Sequence, residues 1–371
     1  MSIFALKLLK MLLVYVLFCL SLYSVLLLAF TIGWFRIKAI PASDIEQVKI
    51  SVVVCARNEE TTIGILLTQL VIQSFQPVEI IVVDDGSIDN TASIVKQFSQ
   101  VKLLFTSGIG KKMALKIGGE SSTGELIVCT DADCRVGADW LRTMAQCFES
   151  LKPSMIIAPV RLLYNHSFWQ RIQALEFMSL TASTAGAAGF SHPVMCNGAN
   201  LAFTKQAWFK CSNDLVFEQP SGDDMFLMMS LKRRKESIIY LKSKEAIVTT
   251  TPCLSVSDFV NQRSRWVSKS SSYKDIEVTT TAIIVFVMGI MPIALSIFAL
   301  FVPSVWLYVL LFWSVKTFAD ALFLNISSSF FSTKMLLWLV IPLSLIYPFY
   351  LLTVTFLGLI GDIEWKGINH H

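Results

Sequence analysis

Two hydropathy patterns alternate along this chain, and they predict different architectures. Residues 11–35 (MLLVYVLFCLSLYSVLLLAFTIGWF) carry no charge. A membrane span needs about 20 apolar residues, so this run predicts a transmembrane helix. A cleaved signal peptide is the alternative, but its apolar core is roughly 7–15 residues and ends at a small-residue site. The run here is longer and ends in Gly33-Trp34-Phe35, which favours a retained anchor. Toward the other end, residues 281–302 and 336–360 are uncharged, and residues 303–326 hold only Lys316 and Asp320. Three further spans are expected there, with almost no loop at Pro303. Three spans would put the tail and the central region on opposite sides. Lys7 and Lys10 on one flank of the first run are balanced by Arg36 and Lys38 on the other, so charge bias does not orient it. Lys316 and Asp320, four apart, share one helix face. They read either as a functional intramembrane pair or as a mutually neutralising pair near the bilayer edge, with Lys316 snorkelling.

Between the flanking runs the pattern changes. Short β-branched apolar runs at residues 49–55 (KISVVVC), 78–83 (VEIIVV), 101–105 and 125–130 (ELIVCT) read as strands. Helical spacing separates them: residues 60–73 place Ile63, Leu66, Leu67 and Leu70 on one face, Asp89-Asn90-Thr91 caps a helix running to about residue 100, and residues 111–120 follow. Apolar strands alternating with helices imply an α/β domain with a mostly parallel sheet covered on both faces. In such sheets ligands bind beyond the carboxyl ends of the strands.

Composition sharpens this division. Of 371 residues 54% are hydrophobic and 16% charged, against about 25% charged in soluble domains, and the deficit sits in the flanking runs. The net charge of +4 comes without a dense Lys/Arg stripe, so nucleic acid is not an expected partner. Eight cysteines without paired spacing form neither a disulfide framework nor a zinc pattern; reduced thiols in a cytosol-facing domain are expected.

The polar residues at three strand ends carry the candidate chemistry: Ala56-Arg57-Asn58-Glu59, Asp84-Asp85-Gly86-Ser87 and Asp131-Ala132-Asp133. No glycine-rich phosphate loop follows any strand. If strand geometry persists through Asp133, both carboxylates of the third project to one side. Hard paired oxygens suit Mg²⁺ or Mn²⁺, which bind few carboxylates plus substrate phosphates; a solvated turn or a helix cap is the other reading. Asp84-Asp85 is either a turn with a capped helix behind it or the holder of a nucleobase or ribose hydroxyl through Asp85. Gly222-Asp223-Asp224 opens a helical stretch at 225–235, where two carboxylates either compensate the helix dipole or supply a general base whose proton affinity the neighbour raises. Gln262-Arg263-Ser264-Arg265-Trp266 precedes the last apolar third. It reads as an interfacial helix, or as an Arg clamp for a diphosphate beside a Trp platform for a sugar.

In chain order ARNE (56–59), VVDDGSIDNT (82–91), GKKMAL (110–115), TDADC (130–134), CNGANLAF (196–203), SGDD (221–224) and QRSRW (262–266) together resemble glycosyltransferase family 2, with its GT-A fold, over about residues 50–266. The last motif resembles the Q-x-x-R-W signature of membrane-embedded members, including hyaluronan and cellulose synthases and ceramide glucosyltransferases. With the hydropathy pattern, this gives an N-terminal transmembrane anchor at 1–36, a domain at 37–280 that the resemblance implies is a GT-A catalytic domain with interfacial helices, and a three-helix transmembrane bundle with a short tail at 281–371. The resemblance also implies site roles. Asp85 binds the nucleoside, helped by Ala56, Asn58 and Glu59. Asp133 holds the metal, with Asp131 near ribose and diphosphate. Asp224 is the catalytic base, and Asp223 stands where the family often has Glu. Arg265 contacts the diphosphate, Gln262 and Trp266 shape the acceptor site, Lys111 touches the donor, and Asn197, Gly198 and Asn200 line the sugar and acceptor pocket.

The expected reaction is an inverting transfer from a nucleotide-diphosphate sugar to a hydroxyl of a lipid or lipid-linked glycan. A single displacement needs one base and no protein nucleophile, so His166 and His192 are expected to be structural or to line the acceptor. Nucleotide sugars are cytosolic, which places the catalytic domain on the cytoplasmic side of a multi-pass protein of the cell membrane. Phe168-Trp169 and Trp266 are candidate membrane-interface residues. A processive polysaccharide synthase is the alternative, although the bundle is small beside such synthases. A non-catalytic nucleotide-binding transporter or scaffold, suggested by Lys316 and Asp320, is the reading from another class. The tail Glu364-Trp365-Lys366-Gly367 resembles a Trp-Lys-Gly tail drawn on the catalytic side in some of these enzymes, which conflicts with the three-span count and leaves the topology open.

Overall fold

The computed structural model describes residues 3–40, 45, 48–214, 222–360, 363–365 and 368–370. It divides into two compact units, each discontinuous in sequence: Phe35–Asn165 with Ser183–Pro252, and Met1–Trp34 with His166–Ala182 and Cys253–His371.

The first unit is built on a seven-stranded sheet. Its strands are β1 (Ile50–Ala56), β2 (Glu79–Asp85), β3 (Val101–Thr106), β4 (Leu126–Asp131), β5 (Met155–Ile157), β7 (Leu201–Thr204) and β8 (Ile238–Tyr240), in the order β3-β2-β1-β4-β7-β5-β8. β1 pairs in parallel with β2 and β4, and β2 with β3. β7 runs antiparallel to both of its neighbours. Val52, Val54, Ile81, Val82, Ile127 and Val128 are fully buried, as continuous apolar runs in a two-sided parallel sheet must be. β6 (Val160–Leu162) and β9 (Val248–Thr250) form a separate parallel ribbon, and an isolated bridge ties Thr249 to Arg135.

Helices of this unit are α2 (Ile63–Val71), α3 (Thr91–Val95), α4 (Lys111–Ser121), α5 (Trp140–Leu151), α7 (Lys205–Cys211) and α8 (Asp223–Arg233). α2 buries Ile63, Leu66, Leu67 and Leu70, the face its spacing predicts. α3 is shorter than expected and ends at Val95. α4 lies close on the sheet because Gly118 has no side chain: a Cβ there would stand 2.5 Å from Val53 Cγ1 and 3.2 Å from Val83 Cγ2. β-branched valines have little rotamer freedom to yield, so this contact sets the height of α4, and of Lys111 in its first turn, above the strands.

The second unit contains α1 (Ile3–Arg36) up to Trp34, α6 (Phe168–Ala188) up to Ala182, α9 (Val256–Ser268), α10 (Ile276–Phe301), α11 (Trp306–Ser328) and α12 (Val340–Ile360). Among the described residues, four helical stretches are long and apolar enough to cross a membrane: Lys7–Arg36, Ile276–Phe301, Pro303–Ser328 and Lys334–Ile360. A single 3₁₀ turn at Pro303–Val305 joins the second to the third, so the loop is as short as the sequence implies. Beyond α12, β10 (Ile363–Trp365) and β11 (Ile368–His370) pair antiparallel. Residues 366–367 of the Trp-Lys-Gly tail lie outside the described residues, as does Ser221.

Trp34 meets Phe330 edge-on at 5.5 Å and Phe331 at 6.2 Å, closing the end of α1 on the segment after α11. Lys316 and Asp320 pair at 2.7 Å. The Tyr23 hydroxyl donates to the other Asp320 oxygen at 2.6 Å, and the Lys316 ammonium stands 5.4 Å from the Tyr23 ring and 5.6 Å from that of Tyr347. The charges therefore neutralise each other among α1, α11 and α12. Replacing Asp320 with Leu strands a buried ammonium and a buried hydroxyl, and should cost about 3–5 kcal/mol. Adding Lys316→Met should recover most of that loss in thermal unfolding of detergent-solubilised protein. A double variant as unstable as Asp320→Leu alone would show that the ion pair is not what the single substitution disrupts.

Candidate active site

The parallel register brings the polar strand ends together. Cys55 of β1 lies beside Val83 of β2 and Asp131 of β4, and Ala56 beside Asp84. The loops beyond β1 and β2 are then stitched to one another. Asn58 adopts a left-handed backbone (φ 52°), which a short polar side chain tolerates. Its N–H donates to Ser87 Oγ at 2.9 Å, and its Oδ1 accepts from the Ile88 N–H at 3.0 Å. The Glu59 N–H donates to Thr91 Oγ1 at 2.8 Å.

The adjacent aspartates of this loop divide the two readings offered for them. Asp84 closes the turn, accepting from the Ser87 N–H at 2.9 Å. Asp85, 2% exposed, accepts from the Gly110 N–H at 2.9 Å and from the Thr106 hydroxyl, with Arg57 Nη1 at 3.7 Å. Asp85 thus shapes the loop leading into α4, and each of its oxygens keeps a further lone pair.

Past β4 the geometry departs from expectation. The strand stops at Asp131, and the chain turns, with the Cys134 N–H donating to the Asp131 carbonyl at 3.1 Å. Asp133 therefore sits in the turn rather than on an extended strand. Thr250 of β9 donates its hydroxyl to Asp133 Oδ2 at 3.0 Å; nothing in the sequence singled out Thr250, which the β6–β9 ribbon delivers. Burial, and then the charges of Asp131 and Glu59, hold the Asp133 carboxyl above the ordinary carboxylate range. Asp131 accepts from Lys111 Nζ at 2.5 Å, both side chains remaining partly exposed. Burial alone would lower the Lys111 ammonium, but Asp131 and Asp223 outweigh it and hold its pKa well above normal.

α8 begins after Gly222, whose φ of 91° is a left-handed value suited to glycine. Asp223 and Asp224 occupy its first turn, where carboxylates offset the helix dipole. Asp224 does more: its Oδ2 accepts from the Gly198 N–H at 2.9 Å and its Oδ1 from the Met225 N–H at 2.8 Å. A Cβ added at Gly198 would lie 3.6 Å from Lys111 Nζ and 3.7 Å from Asp224 Oδ2. One recess is accordingly lined by Lys111, Asp131, Gly198, Asp223 and Asp224, over a floor that includes Cys55 and Cys129. Burial pushes both of those thiols up, so they stay protonated and unreactive.

The other expected residues fall elsewhere. Asn197 caps the short turn Gly198–Asn200 by accepting from the Ala199 N–H at 2.9 Å. Asn200 is fully buried and does not line the recess. Its amide donates to the Pro159 and Ala246 carbonyls at 2.7 and 2.8 Å and accepts from Trp140 Nε1 at 3.0 Å. His166 pairs with Arg171 at 3.3 Å.

In the other unit, α9 carries the whole 262–266 motif and is capped by Ser255, whose Oγ accepts from the Asp258 N–H at 3.0 Å. Arg263 points inward, and Arg265 and Trp266 are half-buried. Arg263 meets Glu176 of α6 at 2.6 Å. Sequence reasoning passed over both residues; the available clue was that Glu176 is the lone Asp, Glu, Lys or Arg between residues 172 and 204. Phe168 packs on Trp338 and Trp169 on Phe259, so these candidate interface rings have partners within the unit.

Among the described residues, no group of three or more His, Cys, Asp or Glu side chains is placed to hold a metal by itself. Asp131 and Asp133 still suit a hard divalent cation. Their crowded charge is what such an ion would relieve, and ions of this kind complete their shell with substrate oxygens.

Comparison with known proteins bears on the same unit. The profile described as Glycosyl transferase family 2 matches residues 51–211. The chain is 29% identical over 144 residues to a poly-β-1,6-N-acetyl-D-glucosamine synthase of Staphylococcus epidermidis, covering 37% of this chain and 35% of that protein. It is 39% identical over 99 residues to a probable glycosyltransferase, YdaM, of Bacillus subtilis, covering 24% and 23%. The chain thus spans about a third or less of the length of these curated relatives. Among solved structures it is similar in fold to a mannosyltransferase of Pyrobaculum calidifontis, solved with GDP-Man and Mn²⁺, with a TM-score of 0.57, 15% identity, and 93% of this chain and 98% of that one covered. The mostly parallel sheet with its covering helices is therefore of the GT-A class, and residues 51–211 within it are similar to glycosyl transferase family 2.

Proposed function

We propose that this chain is an inverting, membrane-integrated glycosyltransferase that moves a sugar from a nucleotide-diphosphate sugar to a hydroxyl of a lipid or lipid-linked glycan. The observation that carries this reading is the recess at the carboxyl edge of the sheet, where Lys111, Asp131, Gly198, Asp223 and Asp224 meet. Its unit is similar to glycosyl transferase family 2 over residues 51–211, and a protein of similar fold binds GDP-Man and Mn²⁺.

In this mechanism Asp224 takes the proton from the acceptor hydroxyl as its oxygen attacks the anomeric carbon. Two backbone N–H groups fix that carboxylate, so its reach toward an acceptor is set before substrate arrives. Asp223 keeps the surroundings anionic. Lys111 faces the donor phosphates, exchanging part of its contact with Asp131 for theirs. A divalent ion on Asp133 and Asp131 would neutralise charge on the departing diphosphate. Asp85 holds the nucleoside through its remaining lone pairs, beside Ala56, Asn58 and Glu59. The assignment of Arg265 to the diphosphate and of Gln262 and Trp266 to the acceptor follows the motif resemblance, as does the role of Asn197 near the sugar. Four apolar helical stretches support a multi-pass membrane protein. The cytosolic origin of nucleotide sugars places the catalytic unit on the cytoplasmic side.

The similarity to a poly-β-1,6-N-acetyl-D-glucosamine synthase supports a second reading, processive synthesis of a polysaccharide. Membranes incubated with a panel of radiolabelled nucleotide sugars separate the readings. Label entering the lipid phase as a single-sugar product supports the first, and a ladder of lengths supports the second. Absence of turnover with every donor and lipid extract would overturn both. Chelation should stop transfer, and added Mn²⁺ or Mg²⁺ should restore it.

Asp224→Asn should lower kcat by about 10²–10⁴-fold, the usual contribution of a positioned base, and leave nucleotide affinity unchanged in equilibrium binding. Normal turnover by that variant would remove Asp224 from the base role.

A further inference from the structure

The motif at 262–266 contains two arginines, and the structure treats them differently. Residues two apart on a helix point to nearly opposite sides. Arg263 turns into the unit, its side chain 4% exposed, while Arg265 stays half-buried. Glu176 of α6, 7% exposed, takes Arg263 as a fork. Nη2 donates to Oε2 at 2.6 Å and Nε to Oε1 at 3.2 Å. The Tyr350 hydroxyl of α12 adds a bond to Oε1 at 3.3 Å. The guanidinium carbon also stands over two rings, 4.1 Å from the centre of Trp266 and 4.7 Å from that of Phe259. A paired and stacked guanidinium has little freedom left.

The remaining nitrogen of this fork is the informative one. Arg263 Nη1 donates to Gln262 Oε1 at 2.6 Å, and the Cys253 thiol stands 3.7 Å from the same oxygen. An arginine can only donate, so it dictates which end of the amide faces it. Oε1 is turned inward to two donors. Nε2, with two N–H groups and no partner recorded among the described residues, is turned the other way. Gln173 secures the position of Cys253 by a two-way bond to its backbone, at 2.9 and 3.0 Å.

We propose that Glu176 and Arg263 are positioning residues that fix the polarity of the Gln262 amide, so that Gln262 donates hydrogen bonds to an oxygen of the acceptor and does not accept them from it. This rests on the assignment of Gln262 to the acceptor made above. It restricts the acceptor group opposite Gln262 to one that offers lone pairs, such as a ring oxygen, a carbonyl or a hydroxyl engaged as acceptor.

The test uses the radiolabelled nucleotide sugar and the lipid extract that support transfer by the wild type, and compares the apparent KM for the extract (acceptor KM), the KM for the nucleotide sugar (donor KM) and the thermal midpoint in detergent. Glu176→Gln loosens the fork and should raise acceptor KM roughly 10–100-fold, the range seen when a partner that orients a functional side chain is lost, with donor KM unchanged. The exchange Glu176→Arg with Arg263→Glu separates orientation from packing. It rebuilds an ion pair, but the carboxylate introduced at 263 can only accept, so it turns the Gln262 amide round. A recovered thermal midpoint with acceptor KM still raised supports the proposal. Recovery of both shows that the pair serves packing alone, and overturns it. If the exchange does not fold, Gln262→Glu decides. It keeps one oxygen on Arg263 and puts an acceptor where Nε2 stood. A raised acceptor KM at an unchanged midpoint supports the proposal, and an unchanged acceptor KM overturns it. A wild-type protein that transfers no sugar overturns the proposed function, and this inference with it. An active wild type whose variants keep their acceptor KM overturns this inference alone.

Discussion

Crowding of carboxylates around one lysine at the carboxyl edge of the sheet is the constraint on which the rest of the catalytic unit depends. The parallel register puts Asp131 level with Cys55, and α8 adds Asp223 and Asp224 from the other side of the recess. Just beyond β4, burial and then the charges of Asp131 and Glu59 hold the Asp133 carboxyl above its usual range. Lys111 offsets part of the charge. The tight seat of α4 on Val53 and Val83 at Gly118 serves this arrangement, because it sets where the lysine stands.

The unit that carries the apolar helices solves a different problem, twice, by the same means. Charges away from water need partners that use up their hydrogen-bonding capacity. Lys316, Asp320 and Tyr23 form one such group, and Arg263, Glu176 and Tyr350 another. Each joins an acid, a base and a tyrosine hydroxyl, the first from two helices, α1 and α11, and the second from three, α6, α9 and α12. The first neutralises itself completely. The second leaves one guanidinium nitrogen over, which reaches Gln262. That surplus donor separates the two groups, because it ties the second to the neighbouring residue of the 262–266 motif.

Much of the site was legible in the chain because it depends on local order. Strand ends are polar where a parallel sheet exposes them, and Ala56, Asp85 and Asp131 end β1, β2 and β4 as the alternation of runs implied. What failed was the extrapolation of local geometry past an element. Asp133 does not continue β4, and α3 stops at Val95. Asn200 lies in a motif of the family, yet its amide is taken up by Trp140, Pro159 and Ala246. Residue type placed it in the right loop, but its hydrogen-bond partners come from three distant segments.

Hydropathy and spacing by themselves determined the four apolar helical stretches, the α/β order of the central region, the buried face of α2 and the positions of the acidic motifs, because these follow from periodicity within a few turns or strands. Tertiary structure alone decided which of two adjacent aspartates closes a turn, which of two arginines in α9 turns inward, and that Thr250 and Glu176 matter at all. Each of those outcomes is a competition for hydrogen-bond partners that are remote along the chain. The winner depends on distances that only the packed elements set.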